Sequence, residues 1–232
     1  MHRRDFIQRT ALAGAAACAA VMAAGCSTPA PGRSGTPRVK AFELEGMTVA
    51  ELQRGLGSGR FTSVSLVASY QQRIGEIDQH GPHLKAVIEL NPDAPARARE
   101  LDRERKTRGP RGPLHGIPIL IKDNIATHDR MTTTAGSLAL AGSVAPRDAF
   151  PVERLRAAGA VLLGKTNLSE WANFRGAHSI SGWSGRGGLT RNPYVTDRSP
   201  SGSSSGSAAA AGASLAAVTV GTETDGSIVS LD

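Results

Sequence analysis

An uninterrupted apolar run in the middle of the chain ends directly at a lysine. Residues 116–121 read Gly-Ile-Pro-Ile-Leu-Ile, and Lys122 follows. A short apolar run of this length predicts a buried strand. Such a strand would carry Lys122 into the interior, where loss of water lowers the pKa of an amine. For a lysine seen in isolation, an exposed position at the strand end is the simpler interpretation.

Helices and strands alternate along the body of the chain. Thr48 and Glu51 form a capping-box pair, and residues 63–77 carry apolar side chains at helical spacing. Further helices are predicted at residues 91–106, 152–158, 167–173 and 207–217, and strands at residues 86–90, 116–121, 160–163 and 218–220. Residues 176–205 are rich in Gly, Ser and Pro and predict an irregular segment. The alternation predicts an α/β domain.

Charge and cysteine content narrow the possible function classes. The 232 residues carry a formal net charge of +7, but aromatic residues make up only 4%. The densest basic group, residues 97–111, contains no aromatic residue for base stacking, which favours a solvated helix face. Both cysteines, Cys18 and Cys26, precede the predicted domain, and no Cys/His group has metal-ligand spacing. We therefore predict no nucleic-acid partner, no metal and no cofactor.

The first 26 residues predict a targeting signal that is not part of the fold. Arg3 and Arg4 precede an Ala-rich stretch, residues 11–24, which is too short to predict a membrane span. This arrangement resembles a bacterial twin-arginine signal. The sequence therefore predicts an exported protein of the periplasm or cell envelope.

The signal ends in Ala-Ala-Gly-Cys, which resembles a lipoprotein cleavage box with Cys26 as the lipidated residue. An ordinary secretory signal with an incidental cysteine is the alternative. Residues 27–40 are rich in Pro, Gly and Ser and predict a flexible tether to a domain at residues 41–232. Membrane contact is expected only through the N-terminal lipid or the signal.

Residues 159–166 match the spacing of a phosphate-binding loop. Gly159 and Gly164 are followed by Lys165 and Thr166. Phosphate binding needs a flexible loop whose backbone N–H groups surround the ligand. The four residues between the glycines are apolar and predict a strand instead, so nucleotide binding is disfavoured.

The segment Gly-Ser-Ser-Ser-Gly at residues 202–206 matches a nucleophile elbow with Ser204 at its centre. An elbow follows a strand and needs an acid and a histidine further along the chain. Residues 196–200 make a poor strand, and the last histidine, His178, precedes the motif. This mechanism is disfavoured, and composition alone would make residues 199–207 a flexible linker.

Three motifs taken together resemble the amidase signature family. Residues 114–125 read Leu-His-Gly-Ile-Pro-Ile-Leu-Ile-Lys-Asp-Asn-Ile, residues 200–210 place paired glycines around a serine run, and residues 221–228 read Gly-Thr-Glu-Thr-Asp-Gly-Ser-Ile. Residues 164–176 and 179–183 are similar to bacterial peptide amidases, which remove the C-terminal amide from peptides. The resemblance covers residues 47–229 and implies the amidase-signature fold, a mixed β-sheet core flanked by helices.

The resemblance also implies a catalytic set. Ser227 is the implied nucleophile, Ser203 the bridging serine held by a cis peptide bond after Gly202, and Lys122 the terminal base. The implied oxyanion donors are backbone N–H groups of Thr224, Asp225, Gly226 and Ser227. Because a charged lysine cannot accept a proton, the pKa of Lys122 must lie well below its usual value. The implied reaction converts a carboxamide into a carboxylate and ammonia.

Residues close to these motifs receive lesser roles. Asp123 and Asn124 are interpreted as turn residues or as supports of the catalytic groups. His115 is interpreted as a loop histidine. Candidates for the substrate cleft are Trp171, Asn173 and Trp183, with core packing as the alternative for both tryptophans.

The chain ends soon after the implied nucleophile, at Asp232. Family members continue well beyond this point, so we expect the N-terminal portion of an amidase domain, truncated on its C-terminal side. A truncated sheet would leave an unpaired edge. Two functions stay open: an exported amidase acting on a small amide or peptide amide, and a catalytically inactive remnant or lipid-anchored binding protein.

Overall fold

The structure, a computed structural model, describes residues 39–230. The predicted signal peptide, Cys26 and nearly all of the predicted tether lie outside the described residues. In chain order the elements are α1 (Val49–Ser58), α2 (Ser63–Arg73), β1 (Val87–Leu90), α3 (Ala94–Arg108), β2 (Pro118–Lys122), α4 (Phe150–Ala157), β3 (Val161–Thr166), β4 (Trp183–Ser184), β5 (Gly188–Leu189), α5 (Ser205–Gly212) and β6 (Val218–Val220). The predicted α/β class is confirmed.

Helices α1 and α2 both begin at capping boxes. The Glu51 N–H donates to Thr48 Oγ1 over 3.3 Å, and the Thr48 N–H donates to the Glu51 carboxylate over 2.8 Å. Helix α1 ends at Gly59, whose φ of 78° lies in the left-handed region that favours glycine. Helix α2 begins at a similar box and continues as a π-helical turn over Ile74–Gln79. Both predicted helix starts are therefore confirmed.

The longest described helix is α3, with 15 residues. Its buried positions recur at helical spacing and face the core: Ala94, Ala98 and Leu101. Its last turn carries basic side chains, which interact favourably with the helix dipole. Between residues 39 and 230, no helix combines the length and the apolarity needed to cross a bilayer.

The sheet has four strands in the order β1–β3–β2–β6. Strand β2 pairs in parallel with β3 and with β6, while β1 pairs antiparallel with β3. All five residues of β2 are buried, as the apolar run predicts. Because parallel strands end at the same edge of a sheet, Lys122 at the end of β2 lies beside Thr166 of β3 and close to the residues that follow β6.

The prediction of a helix at residues 167–173 is wrong. Only a short 3₁₀ turn covers Glu170–Asn173, and within it Trp171 and Ala172 have φ values of 54° and 55°. Asn173 is also left-handed, with a φ of 71°. Three successive left-handed residues cannot continue a right-handed helix. The spacing of side chains misled the prediction because it carries no information on backbone handedness.

Strand β3 and helix α5 are among the elements whose limits differ from prediction. Strand β3 runs to Thr166, past the predicted end at residue 163, with Gly164 inside it. A Cβ on Gly164 would overlap the Glu89 carbonyl oxygen of the neighbouring strand, so the close pairing requires glycine. Helix α5 covers eight residues, Ser205–Gly212, where residues 207–217 were predicted.

Strand β3 also decides between the interpretations of residues 159–166. Lys165 and Thr166 are buried strand residues. The Lys165 amine donates to the Ile125 carbonyl oxygen over 2.7 Å and contacts Thr133 Oγ1 at 3.0 Å. The Lys165 side chain is therefore buried and hydrogen-bonded inside the protein, and the segment is a strand rather than a phosphate-binding loop.

Candidate active site

Lys122, Ser203 and Ser227 meet at the carboxyl edge of the parallel strands. Lys122 Nζ lies 2.7 Å from Ser203 Oγ, and Ser203 Oγ lies 2.8 Å from Ser227 Oγ. Strand β2 supplies the lysine, the turn before α5 supplies the first serine, and the loop after β6 supplies the second. The three groups form a continuous hydrogen-bonded relay from amine to hydroxyl to hydroxyl.

The relay opens to solvent at one end. Lys122 and Ser203 have no exposed surface, whereas Ser227 is 8% exposed. A cavity of about 270 Å³ lies beside the two serines, and its other lining residues are Asn124, Ala172, Asn173, Phe174, Thr222, Thr224 and Asp225. A ligand in this cavity can therefore reach the Ser227 hydroxyl without displacing the lysine.

Burial lowers the pKa of Lys122 to about 8. The cause is desolvation, since an ammonium group in the interior loses the water that stabilises its charge. An amine with this pKa is partly neutral at pH 7 to 8. Lys122 can therefore accept a proton under mild conditions, which an ordinary surface lysine cannot do.

Close packing shapes the backbone around Ser203. The peptide bond between Gly202 and Ser203 is cis. A Cβ on Gly202 would overlap Ser169 Oγ and lie 2.7 Å from Ser205 Oγ, so this position requires glycine. The Ser203 carbonyl oxygen accepts the Ser169 N–H over 3.1 Å. These contacts hold the bridging hydroxyl between the amine and Ser227.

The loop that carries Ser227 turns at Gly226, which has a φ of 72°. Within residues 39–230, no acceptor pairs with the backbone N–H groups of Thr224, Asp225, Gly226 or Ser227. Thr224 and Asp225 also line the cavity. The loop can therefore offer N–H donors to an oxygen bound next to Ser227.

The two candidate cleft residues at positions 171 and 173 lie in different surroundings. Asn173 lines the cavity, together with its neighbours Ala172 and Phe174. Trp171 does not line it, and its side chain is 43% exposed. Residues 172–174 therefore form part of the wall of this cavity, and Trp171 lies outside it.

Trp183 and His115 take structural positions. Trp183 does not line the cavity, and the Arg175 guanidinium lies 4.7 Å from its ring centre. His115 is fully buried in a turn, with Nε2 2.9 Å from the Leu101 carbonyl oxygen. Its Nδ1 accepts the Arg111 N–H over 3.3 Å. His115 therefore joins α3 to the segment before β2, away from the relay.

Asp123 and Asn124 directly follow β2 and hydrogen-bond to different parts of the chain. The buried Asp123 carboxylate accepts hydrogen bonds from Thr134 Oγ1 and from the Gly136 N–H, and burial raises its pKa. Asn124 lines the cavity, and its Nδ2 donates to Thr222 Oγ1 over 2.9 Å. Asn124 thus lines the cavity itself, a position that neither the turn interpretation nor the supporting interpretation included.

Ser204 is a further site residue that sequence reasoning missed. The sequence pattern suggested it only as the centre of a nucleophile elbow, but residues 190–203 contain no strand that leads into it, and no described histidine hydrogen-bonds to it. Its Oγ lies 2.9 Å from Lys122 Nζ instead. The buried serines of residues 203–207 also exclude a flexible linker. Only the run of consecutive serines pointed to this residue.

The described site combines the Ser227 hydroxyl at the cavity, the buried Lys122 amine with its lowered pKa, and backbone N–H groups that have no acceptor within residues 39–230. This set can activate a nucleophile and stabilise an oxyanion. Among residues 39–230, no group of three His, Cys, Asp or Glu side chains is placed to hold a metal ion. A serine hydroxyl linked through a second hydroxyl to a buried lysine is a geometry that can pair a nucleophile with a base.

The chain belongs to the amidase family, whose model matches residues 65–230. The native peptide amidase of Stenotrophomonas maltophilia superimposes with a TM-score of 0.80 and 60% sequence identity over 82% of this chain and 39% of that chain. The "Probable amidase" of Arabidopsis thaliana is 50% identical over 191 residues, which are 82% of this chain and 37% of the relative. The similarity confirms the resemblance to bacterial peptide amidases and the amidase-signature fold.

A third relative is named for another reaction. A glutamyl-tRNA(Gln) amidotransferase subunit of Symbiobacterium thermophilum is 44% identical over 184 residues, which are 78% of this chain and 36% of the relative. The chain spans about a third of the length of the curated relatives that it matches. The matched region includes β2, the Ser203 turn and the Ser227 loop.

Proposed function

We propose that this chain supplies the catalytic groups of an amidase that hydrolyses a carboxamide to a carboxylate and ammonia. The observation that carries the proposal is the continuous contact from Lys122 through Ser203 to Ser227, with Ser227 at the cavity. Family membership supports the reaction class. An inactive remnant or a binding protein would need none of these contacts, which favours the amidase over that alternative.

Acylation begins with proton transfer along the relay. Ser227 Oγ attacks the carboxamide carbon while its proton passes to Ser203, and the Ser203 proton passes to the neutral Lys122 amine. A C–O bond forms, and the carbonyl π electrons move onto the oxygen. The relay thus couples a buried base to a nucleophile that the base does not touch.

Collapse of the tetrahedral intermediate breaks the C–N bond. Lys122 returns the proton through Ser203 to the departing nitrogen, and ammonia leaves. A water molecule then attacks the acyl-enzyme while the relay takes its proton. The second collapse returns the relay proton to Ser227 Oγ and frees the carboxylic acid. This acid loses its remaining proton to ammonia or to solvent and becomes the carboxylate, so protons and charges balance over the cycle.

The oxygen of each tetrahedral intermediate carries the developing negative charge. We propose that N–H groups from Thr224, Asp225, Gly226 and Ser227 stabilise it. The absence of acceptors for these groups within residues 39–230 supports this assignment. Loss of one such donor typically costs about 100- to 1,000-fold in rate.

We propose a peptide C-terminal amide as the substrate. The support is the 60% identity to the Stenotrophomonas peptide amidase. The test uses a dipeptide that ends in glutamine. It compares ammonia release from the C-terminal amide of this dipeptide with release from its free acid, in which the glutamine side chain is the carboxamide. Release from the amide alone is expected, whereas equal release from both would contradict terminal-amide selectivity and leave a general amidase.

Ammonia release should increase as the pH rises through about 8. The pKa of Lys122 is lowered to about 8, so acid protonates the base and raising the pH restores its neutral form. The parameter to follow is kcat/KM, because it reports the pKa values of the free enzyme. Below the midpoint we expect it to fall about tenfold per pH unit, since a single proton inactivates the base. The measurement is kcat/KM for a dipeptide amide across this range, and a flat profile would contradict the assignment of Lys122 as base.

We further propose that the protein is exported and lipid-anchored at Cys26. The support is the twin arginine, the apolar stretch and the cleavage-box resemblance in residues 1–26. Wild-type protein should then enter the membrane fraction and incorporate a tagged fatty acid, and a Cys26→Ala variant should do neither. A Cys18→Ala variant is the matched control, and lipid on both variants would refute the assignment.

A further inference from the structure

Ser204 occupies the centre of a small hydrogen-bond cluster beneath the relay. Its Oγ lies 2.9 Å from Lys122 Nζ, 2.9 Å from the Thr222 carbonyl oxygen and 3.2 Å from the Thr222 N–H nitrogen. Lys122 Nζ also lies 3.2 Å from the same carbonyl oxygen. Ser204 is 1% exposed, so no bulk water competes for these contacts.

The chemistry of the partners decides the direction of each bond. A carbonyl oxygen can only accept, so the Ser204 hydroxyl proton is donated to Thr222. A backbone N–H can only donate, so one Ser204 lone pair accepts from Thr222. One lone pair of Ser204 remains, and it faces the lysine. Toward Lys122, Ser204 is therefore an acceptor only.

Two of the three partners of Lys122 are thus fixed as acceptors: Ser204 Oγ and the Thr222 carbonyl oxygen. A neutral amine has two N–H bonds and one lone pair. If both N–H bonds go to the two acceptors, the lone pair is left for the third partner, Ser203. We propose that Ser204 is a positioning residue that holds the lone pair of neutral Lys122 toward the Ser203 hydroxyl. This inference rests on the proposed function.

The proposal gives Ser204 a role separate from packing. Its backbone N–H also donates to the Ser227 carbonyl oxygen over 3.1 Å, and a main-chain bond of this kind survives substitution of the side chain. A side-chain change therefore removes the acceptor while it leaves the Ser227 loop attached. The effect of the hydroxyl on Lys122 can be measured separately.

Three variants separate the acceptor from the volume it fills. Ser204→Ala removes the hydroxyl, and Ser204→Cys keeps a side chain of similar shape that accepts hydrogen bonds only weakly. Ser207→Ala is the matched control, because this buried serine lies on α5, which begins directly after Ser204, and its hydroxyl contacts Thr166 and Val220 rather than the lysine. Thermal unfolding of each variant monitors folding.

The first readout is the rate at which a fluorophosphonate probe labels Ser227 as a function of pH. In both Ser204 variants we expect the high-pH plateau to fall by about 10- to 100-fold, since misdirected catalytic groups lose rates of this order. The pH midpoint should move down. The substitution removes an acceptor that binds the ammonium form of Lys122 more strongly than the neutral amine, because the bond to the ammonium form is charge-assisted. The Ser207→Ala profile should match wild type.

The second readout is the Lys122 titration followed by NMR of ¹³C-labelled lysine, which needs no turnover. A purely structural role would loosen the site, admit water and move the Lys122 midpoint up. An upward shift, or an unchanged labelling plateau in a folded Ser204→Cys variant, would overturn the proposal. If the wild-type chain fails to label, the proposed function fails, and the NMR midpoint in Ser204→Ala still decides the role of Ser204.

Discussion

Replacing Ser227 with alanine should lower ammonia release by about 10⁶-fold, which is the order of loss when a serine hydrolase loses its nucleophile. The residue supplies the only atom of the relay that forms a bond to the substrate in the proposed mechanism. Its hydroxyl also reaches the cavity, so covalent labelling by a fluorophosphonate probe should disappear in the same variant. Both measurements use the full chain with a dipeptide amide as substrate.

The matched control for this variant is Ser207→Ala. Ser207 is also buried, at 4% exposure, but its hydroxyl lies in the protein interior between α5, β3 and β6. We expect this variant to keep its labelling. Probe attached to another serine in Ser227→Ala protein, found by peptide mass spectrometry, would show that the nucleophile had been misassigned.

Replacing Lys122 with methionine should lower kcat by about 10²- to 10⁴-fold, the usual contribution of a general base. Methionine fills a similar volume without a basic group, so the buried strand end stays packed. KM should change little, because Lys122 lies beneath the serines and does not line the cavity. The rise of activity through pH 8 should vanish together with the amine.

Lys165→Met provides an internal comparison. Lys165 is equally buried, and burial lowers its pKa to about 8 as well, but its amine contacts Ile125 and Thr133. This variant should lose thermal stability while each folded molecule keeps the pH profile of the wild type. Equal losses of turnover in folded Lys122→Met and Lys165→Met proteins would mean that the loss follows from removing either buried lysine, and would contradict a specific role of Lys122 in the relay.

Features that depend on local chemistry could be predicted from the sequence. The Thr48–Glu51 pair marks a helix start because the two side chains satisfy N–H groups within one turn. Strand β2 could be predicted because a run of apolar residues has few alternatives to burial. The relay residues could be located because three motifs together resemble the amidase signature family, and the resemblance implies them.

Features that depend on distant contacts could not be predicted. The left-handed backbone at residues 171–173 is invisible in side-chain spacing, so the sequence could not show that residues 172–174 line the cavity while Trp171 does not. Asn124 and Ser204 acquire their contacts from Thr222, which lies far along the chain. The size of the Lys122 pKa shift likewise depends on how completely the folded chain removes water from the amine.

The position of β6 at the side of β2 has a consequence for the order of assembly. A growing chain acquires Lys122 first, Ser203 later and Ser227 only after β6, and the Ser227 loop reaches the relay because β6 pairs with β2. Until that pairing forms, the chain holds a buried amine and a bridging hydroxyl with nothing to activate. Turnover would therefore report that β6 is paired with β2, and an intermediate without that pairing would be unable to attack amides in neighbouring proteins.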